Sequence, residues 1–268
     1  MLAVDLDGTL LNSAGQVSPR TRTALHAARR AGWALLICTA RPVRDTRPVV
    51  ESVCPDTVAV CGNGSITYDF GRRRIVDYRP IPPDGLAAAL RSLRVRHPGL
   101  RLGAERGLDL LLENGFSLDA ALCRDARRVA ALDRVVDRRG FGKIIAQLTG
   151  DARDYHRTLS PVLPAHLAVT VSTSAFCEIG LAGATKAAAV ARIAARMRMR
   201  PDDVVAFGDM PNDVPVLAWA GTAVAVANAH PDVLAVADLV TASNDEDGVA
   251  RHLETLIRTP LYPKGPKS

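Results

Sequence analysis

Apolar and polar positions along the chain fall into two rhythms. Up to about residue 64, short apolar runs alternate with stretches whose apolar residues recur at helical spacing. Residues 2–6, 33–39 and 57–61 are predicted as buried strands. Between the first two, Ser18 and Pro19 form an N-cap and first-turn pair, and residues 21–31 continue as a helix that Gly32 ends. A second helix is predicted over 43–53, with Pro48 near its first turn. From Thr185 the alternation returns: helix 186–198, strand 203–209, helix 212–221, strand 222–228, and closing helices over 230–238 and 247–258.

In between, the rhythm is mixed. Residues 65–70 and 74–81 read as a hairpin, 82–95 as a helix, and 101–107 and 109–115 as short strands. A polar helix is predicted over 120–132, then a strand over 142–150, a helix over 154–163 and a strand-like stretch over 166–180. The chain therefore reads as α/β, a doubly wound parallel sheet interrupted by an inserted α+β domain. Ligands of such sheets bind beyond the carboxyl ends of the strands. Candidate chemistry is sought there.

Composition narrows the classes. The chain has 268 residues, 48% hydrophobic and 23% charged, which marks a globular protein with room for a buried core. No window approaches the roughly 18 uninterrupted apolar residues of a membrane helix. The opening MLAVDLDGTL lacks the basic region of a signal peptide. A cytoplasmic protein with no membrane partner is expected. The five cysteines form no CxxC, so Cys38 and Cys61, in apolar runs, are expected to be buried thiols. The six histidines show no metal spacing and read as surface or loop residues.

The net charge of +6 fits a nucleic-acid partner or the attraction of an anionic small substrate. Arg72, Arg73 and Arg74 read as a solvated hairpin turn, and Arg196, Arg198 and Arg200 close a helix, where cations suit the dipole. No aromatic residues interleave with them as base stacking requires. The expectation is a small phosphorylated substrate, no nucleic acid, and a monomer or small homo-oligomer.

Four segments carry candidate chemistry. The first is Asp5-Leu6-Asp7-Gly8-Thr9-Leu10. Residues two apart in a strand face the same side, so two carboxylates are expected to converge where the strand ends. One can attack phosphorus; the other can protonate a leaving oxygen and later deprotonate water. Two buried like charges imply a cation, and a hard divalent ion such as magnesium fits. The second is Thr39 at the end of the second strand, where a hydroxyl and backbone amides can hold phosphate oxygens. The third is Lys186, a cation at a helix N-terminus that opposes the dipole and so calls for anionic company. The fourth is Gly208-Asp209-Met210-Pro211-Asn212-Asp213, which brings more oxygen ligands to the end of an apolar strand.

With these four motifs in this order, the chain resembles the haloacid dehalogenase superfamily, and within it the Cof-type, sugar-phosphatase-like branch with a large inserted α/β cap. The resemblance covers nearly the whole chain. It implies a Rossmann-like core over 1–81 and 184–268 with a cap over 82–183 that sets specificity. It implies a magnesium-dependent phosphatase acting on small phosphate monoesters, such as sugar phosphates, through an aspartyl phosphate. By this resemblance Asp5 is the nucleophile, Asp7 the general acid/base, and Thr39 and Lys186 hold the phosphoryl group. Arg41, Asn63 and Asn212 join them in binding substrate. The metal set is Asp5, Asp7 through its backbone carbonyl, Asp209 and Asp213, with Asn212 and Asp213 supporting Lys186 and the metal's water. Asn63-Gly64 matches the family's turn after the third strand, and Asn228-Ala229 its late Asn-Ala. Ala40, Ala187 and Ala227 stand where glycine is common, a difference confined to local backbone.

Other classes share parts of this pattern. A receiver domain also uses clustered aspartates, a threonine and a lysine. The insertion and the paired acids of the first motif argue against it. A phosphomutase shares all four motifs. A glycosyltransferase holding a metal–nucleotide on Asp5 and Asp7 leaves residues 208–213 without a role.

Overall fold

The first apolar run forms β1 (Leu2–Val4), buried throughout and central to the larger of two sheets. The computed structural model describes residues 1–117, 125–148, 154–170 and 176–258. Contacts divide the chain into two units: Met1–Arg41, Thr46–Val76 and Thr185–Ser268 form one, and Pro42–Asp45 with Asp77–Ala184 the other.

In chain order the first stretch gives α1 (Pro19–Arg30), β2 (Leu35–Cys38), α2 (Val43–Val53), β3 (Val58–Cys61), β4 (Ile66–Asp69) and β5 (Arg74–Tyr78). Ser18 caps α1 by accepting the Thr21 amide at 3.0 Å. Pro48 lies inside α2 rather than in its first turn, where it removes the bond its missing N–H would make. The middle stretch gives α3 (Leu86–Arg96), β6 (Arg101–Arg106), β7 (Asp109–Glu113), β8 (Arg127–Val129), β9 (Lys143–Gln147), α4 (Tyr155–Leu159), β10 (Leu167–Thr170) and β11 (Cys177–Leu181). The last gives α5 (Lys186–Arg196), β12 (Val205–Gly208), α6 (Val214–Trp219), β13 (Thr222–Ala225), α7 (Pro231–Leu234), β14 (Leu239–Val240) and α8 (Gly248–Arg258).

The larger sheet runs β14-β13-β12-β1-β2-β3-β4-β5. Pairing is parallel from β14 through β3 and turns antiparallel at β4. Alternate strand residues face opposite sides. On one side Ala3, Leu36, Val60, Ala206 and Ala223 pack against Val190 and Ile193 of α5 and Leu217 of α6. On the other, the Phe207 ring meets His252 of α8 edge-on at 5.4 Å. Helices thus cover both faces, which excludes water from strands apolar along their whole length. Each fully buried aliphatic side chain contributes about 1.5–3 kcal/mol.

The second unit holds a six-stranded sheet, β10-β11-β9-β6-β7-β8, antiparallel except for the parallel β7–β8 pair. One face is apolar: Leu102, Ala104, Leu111, Ile144 and Ile179 pack under Leu90 and Leu93 of α3. The opposite face carries Leu110, Leu112, Phe116 and Ile145 beside the buried charges Glu105, Lys143 and Glu178.

The segment predicted as a polar helix over 120–132 departs from expectation. Residues 118–124, with Cys123, lie outside the described residues, and the described remainder holds β8 rather than a helix. Pairing along β7 and burial of Val129 and Leu132 outweigh a helical propensity worth only tenths of a kcal/mol per residue. The stretch 166–180 separates into β10 and β11, which pair antiparallel. Two histidines read as surface or loop residues, His26 and His252, lie half-buried on α1 and α8. Cys38, Cys54, Cys61 and Cys177 are buried thiols. Among the described residues no helix is long and apolar enough to cross a membrane.

Candidate active site

Beyond Val4 the backbone leaves the sheet and turns. Residues Leu6–Leu10 form a single wide turn, closed where the Leu11 amide donates to the Leu6 carbonyl at 2.8 Å. Gly8 makes this turn possible: its φ is +76°, and a Cβ there would lie 2.3 Å from an Asp209 carboxylate oxygen. The turn separates the two aspartates expected on one face. Asp5 is buried, with 5% of its surface exposed. The Asp7 side chain is 56% exposed and paired with Arg41, whose Nε donates to Asp7 Oδ2 at 2.8 Å and Nη2 to Oδ1 at 2.5 Å. The strand ends before Asp7, so the two-residue repeat no longer governs where that side chain points.

Asp5 gains its company from distant segments. Lys186, the first residue of α5, is buried and donates from Nζ to Asp5 Oδ1 at 2.6 Å and to Asp213 Oδ1 at 2.7 Å. The Thr185 hydroxyl caps the helix by accepting the Ala188 amide at 3.1 Å. Gly64, at φ +104°, lets this helix start come close: a Cβ there would sit 2.2 Å from the Thr185 carbonyl oxygen. Asp213 Oδ2 accepts the Asp209 amide at 3.3 Å and the Met210 amide at 3.1 Å. Asp209 Oδ1 accepts from the Thr9 hydroxyl at 2.7 Å. Thr9 is a site residue that the sequence reading misses; its place inside the first motif, two residues beyond Asp7, is the available signal.

Thr39, fully buried after β2, accepts the Arg41 amide on its hydroxyl at 3.0 Å, and its carbonyl accepts the Asn63 amide at 3.1 Å. Asn63 sits at φ +55° and accepts from Asn212 Nδ2 at 3.0 Å. The sequence-nominated residues thus form two connected groups within the first unit: Asp5, Lys186, Asp209 and Asp213, and beside the ends of β2 and β3 Thr39, Arg41, Asn63 and Asn212, with Asp7 on Arg41.

The electrostatics of the acidic group are one-sided. Burial pushes the Asp5 carboxyl well above the usual carboxylate range; Lys186 opposes this, while Asp213 and Asp209 add to it. Burial likewise lifts Asp209 to about 6, against the Thr9 hydrogen bond. Burial pulls the Lys186 ammonium down, and the charges of Asp213 and Asp5 more than reverse that, leaving it raised. Oxygens of Asp5, Asp209 and Asp213 all lie within 4.8 Å of one another. Three carboxylates facing one lysine leave negative charge that a further cation would neutralise. The all-oxygen donor set fits a hard divalent ion.

The family model for haloacid dehalogenase-like hydrolases matches residues 2–253, and the chain belongs to that family. Pyridoxal phosphate phosphatase YbhA of Escherichia coli is 26% identical over 279 residues, covering 94% of this chain and 97% of its own. The 5-amino-6-(5-phospho-D-ribitylamino)uracil phosphatase YcsE of Bacillus subtilis is 26% identical over 255 residues, covering 94% and 93%. A haloacid dehalogenase-like hydrolase of Bacteroides thetaiotaomicron superposes with a TM-score of 0.82 at 25% identity, covering 95% of this chain and 98% of that one.

Proposed function

We propose that this hydrolase is a magnesium-dependent phosphatase that cleaves small phosphate monoesters, sugar phosphates or similar metabolites, through an aspartyl phosphate on Asp5. The reading is carried by one observation: a buried carboxylate at the end of β1, held at 2.6 Å by a buried lysine and flanked by two more carboxylates. Family membership and phosphatase-named relatives of the same length support it. Those two relatives bear different substrate names at equal identity, so neither substrate is carried over.

Asp5, Asp209 and Asp213, with the Asp7 backbone carbonyl, would hold the magnesium ion, which when bound neutralises charge on the transferring phosphoryl group. An Asp5 oxygen attacks phosphorus as the bond to the leaving oxygen breaks, and Asp7 gives that oxygen its proton. Water then attacks the aspartyl phosphate, Asp7 takes the water's proton, and Asp5 is regenerated with inorganic phosphate released. Lys186 orients the nucleophile and offsets its charge. Thr39, Arg41, Asn63 and Asn212 supply donors for phosphate and substrate oxygens. Positioning and charge neutralisation account for most of such catalysis. In this reading residues 1–81 and 184–268 supply the chemistry, and the insertion over 82–183 discriminates among leaving groups.

The test is phosphate release from a panel of sugar phosphates and other monoesters. Turnover is expected with magnesium, lost in excess chelator and restored on adding magnesium back. Full turnover in chelator overturns the metal assignment. A phosphoprotein lasting hours without phosphate release overturns the hydrolase, and an isomerised sugar phosphate points to a mutase.

A further inference from the structure

The turn that carries Asp7 is gripped from outside by two asparagine side chains, Asn228 after β13 and Asn244 after β14. Asn228 Nδ2 donates to the Gly8 carbonyl at 2.8 Å. Its Oδ1 accepts the Asn244 amide at 2.9 Å, which orients the carboxamide so that the donor faces Gly8. Asn244 Nδ2 donates to the Leu11 carbonyl at 2.9 Å, holding the far end of the same turn. Two residues past Asn228, the His230 amide donates to the Asp209 carbonyl at 2.8 Å. The segment Asn228–His230 therefore ties down both the loop bearing Asp5 and Asp7 and the loop bearing Asp209.

The Gly8 carbonyl is a telling place for such a bond. Glycine has the widest φ/ψ freedom of any residue, so the Gly8 peptide is the softest joint in the turn. Asp7 precedes that joint and Thr9 follows it. Asp7 is largely exposed and its carboxylate is paired with Arg41, so packing does little to fix the backbone from which that side chain leaves the turn. We propose that Asn228 is a positioning residue for Asp7: by holding the Gly8 carbonyl it sets the direction in which the Asp7 carboxyl delivers and recovers the proton. The inference rests on the acid/base role given to Asp7 above.

A misdirected acid has a specific signature. Alkyl leaving groups need the proton, whereas p-nitrophenolate leaves without one. Because the water step is common to both esters, kcat/KM, which reports only transfer to Asp5, reads proton delivery: losing one well-made hydrogen bond is expected to lower kcat/KM on an alkyl phosphate about tenfold in Asn228→Ala. On p-nitrophenyl phosphate the loss should stay below about threefold. Asn228→Asp keeps the acceptor for the Asn244 amide but loses the donor to Gly8, so it should behave like Asn228→Ala. Equal losses on both esters, or no loss, overturn the proposal, as does an Asn228→Asp variant with wild-type alkyl ester rates. Melting temperature and circular dichroism, unchanged in the isosteric Asn228→Asp, exclude unfolding as the cause. The kcat/KM of Asp7→Ala on the same two esters separates the layers. If it fails to distinguish them, the acid/base reading of Asp7 falls; if it does and Asn228→Ala does not, only the positioning role falls.

Discussion

Among the described residues each unit buries one lysine between carboxylates, and the two lysines differ in everything but that. Lys186 meets Asp5 and Asp213 at 2.6 and 2.7 Å, with side chains drawn from loops at the ends of strands and from a helix start. Lys143 meets Glu178 at 2.6 Å and Glu105 at 3.8 Å, with all three on strands of one sheet. Register explains the second group: Glu105 pairs directly with Lys143 across β6 and β9, and Glu178 pairs with Ile145 two residues along. Around Lys186 a third carboxylate, Asp209, leaves unbalanced negative charge. Around Lys143 the Arg44 guanidinium, 3.6 Å from Glu105, brings the balance back toward neutral. Burying a lysine–carboxylate pair is thus not evidence of chemistry. Unbalanced charge on loops that can accommodate a ligand is what separates the first cluster from the second.

The sharpest test of that contrast is isosteric amidation of one acid in each cluster. Asp5→Asn removes the nucleophile while keeping its shape, so turnover should fall by ~10⁴-fold or more. Glu178→Gln, equally buried and also bonded to a lysine at 2.6 Å, should keep kcat on p-nitrophenyl phosphate within about threefold, because a mid-strand ion pair is not asked to react. Steady-state rates on the two purified variants decide it. A retained rate in Asp5→Asn, or a collapse in Glu178→Gln with folding intact, breaks the comparison.

The next effect is on stability. Removing one partner of a buried pair leaves an uncompensated charge, which costs about 3–5 kcal/mol. Lys143→Met should therefore lower unfolding free energy by about that much, read from urea midpoints at constant slope. The double variant Lys143→Met, Glu178→Met replaces both charges with apolar groups and should recover most of the loss. A double variant no more stable than the single one would mean that the pair specifies packing as well as charge.

How legible each cluster was follows from where its residues lie. Asp5, Asp209 and Asp213 interrupt apolar runs just where a parallel strand hands over to a loop, and that interruption is visible in one dimension. The larger sheet was legible for the same reason, since strands covered on both faces are continuous apolar runs. Thr9 and Asn244 were not, because their roles are hydrogen bonds to residues some 200 or more positions away. Lys143 and Glu178 each appear in the sequence as a single charge in an otherwise apolar strand, and only register shows that they meet. The helix expected over 120–132 failed where alanines and arginines favour a helix locally, while β7 offers an edge that local propensity does not register. The convergence expected of Asp5 and Asp7 failed because the strand ends at Val4 and the turn at Gly8 resets direction.

The smallest effect concerns Glu105, the looser acid of the second cluster. Burial lifts its carboxyl above the ordinary glutamate value; Lys143 and Arg44 oppose this, and Glu178 and Asp45 add to it. Among the described residues its carboxylate accepts no hydrogen bond, unlike that of Glu178. The sign follows from proton binding. The folded protein holds the Glu105 proton more tightly than the unfolded chain, so this group's contribution is fully present below the ordinary value of 4.5 and is lost as pH rises through the raised folded value. Glu105→Gln behaves as the permanently neutral form. Near pH 7 it should match or slightly exceed the wild-type stability, by no more than ~1 kcal/mol, the scale of one polar substitution. Near pH 4 the two proteins should converge, because both then carry a neutral side chain there. Urea unfolding of both proteins at a series of pH values reads the difference directly. If Glu105→Gln is instead clearly destabilised at pH 7 and the gap closes only in acid, the Lys143 and Arg44 charges outweigh burial, and the second cluster is as tightly charge-matched as a closed salt bridge.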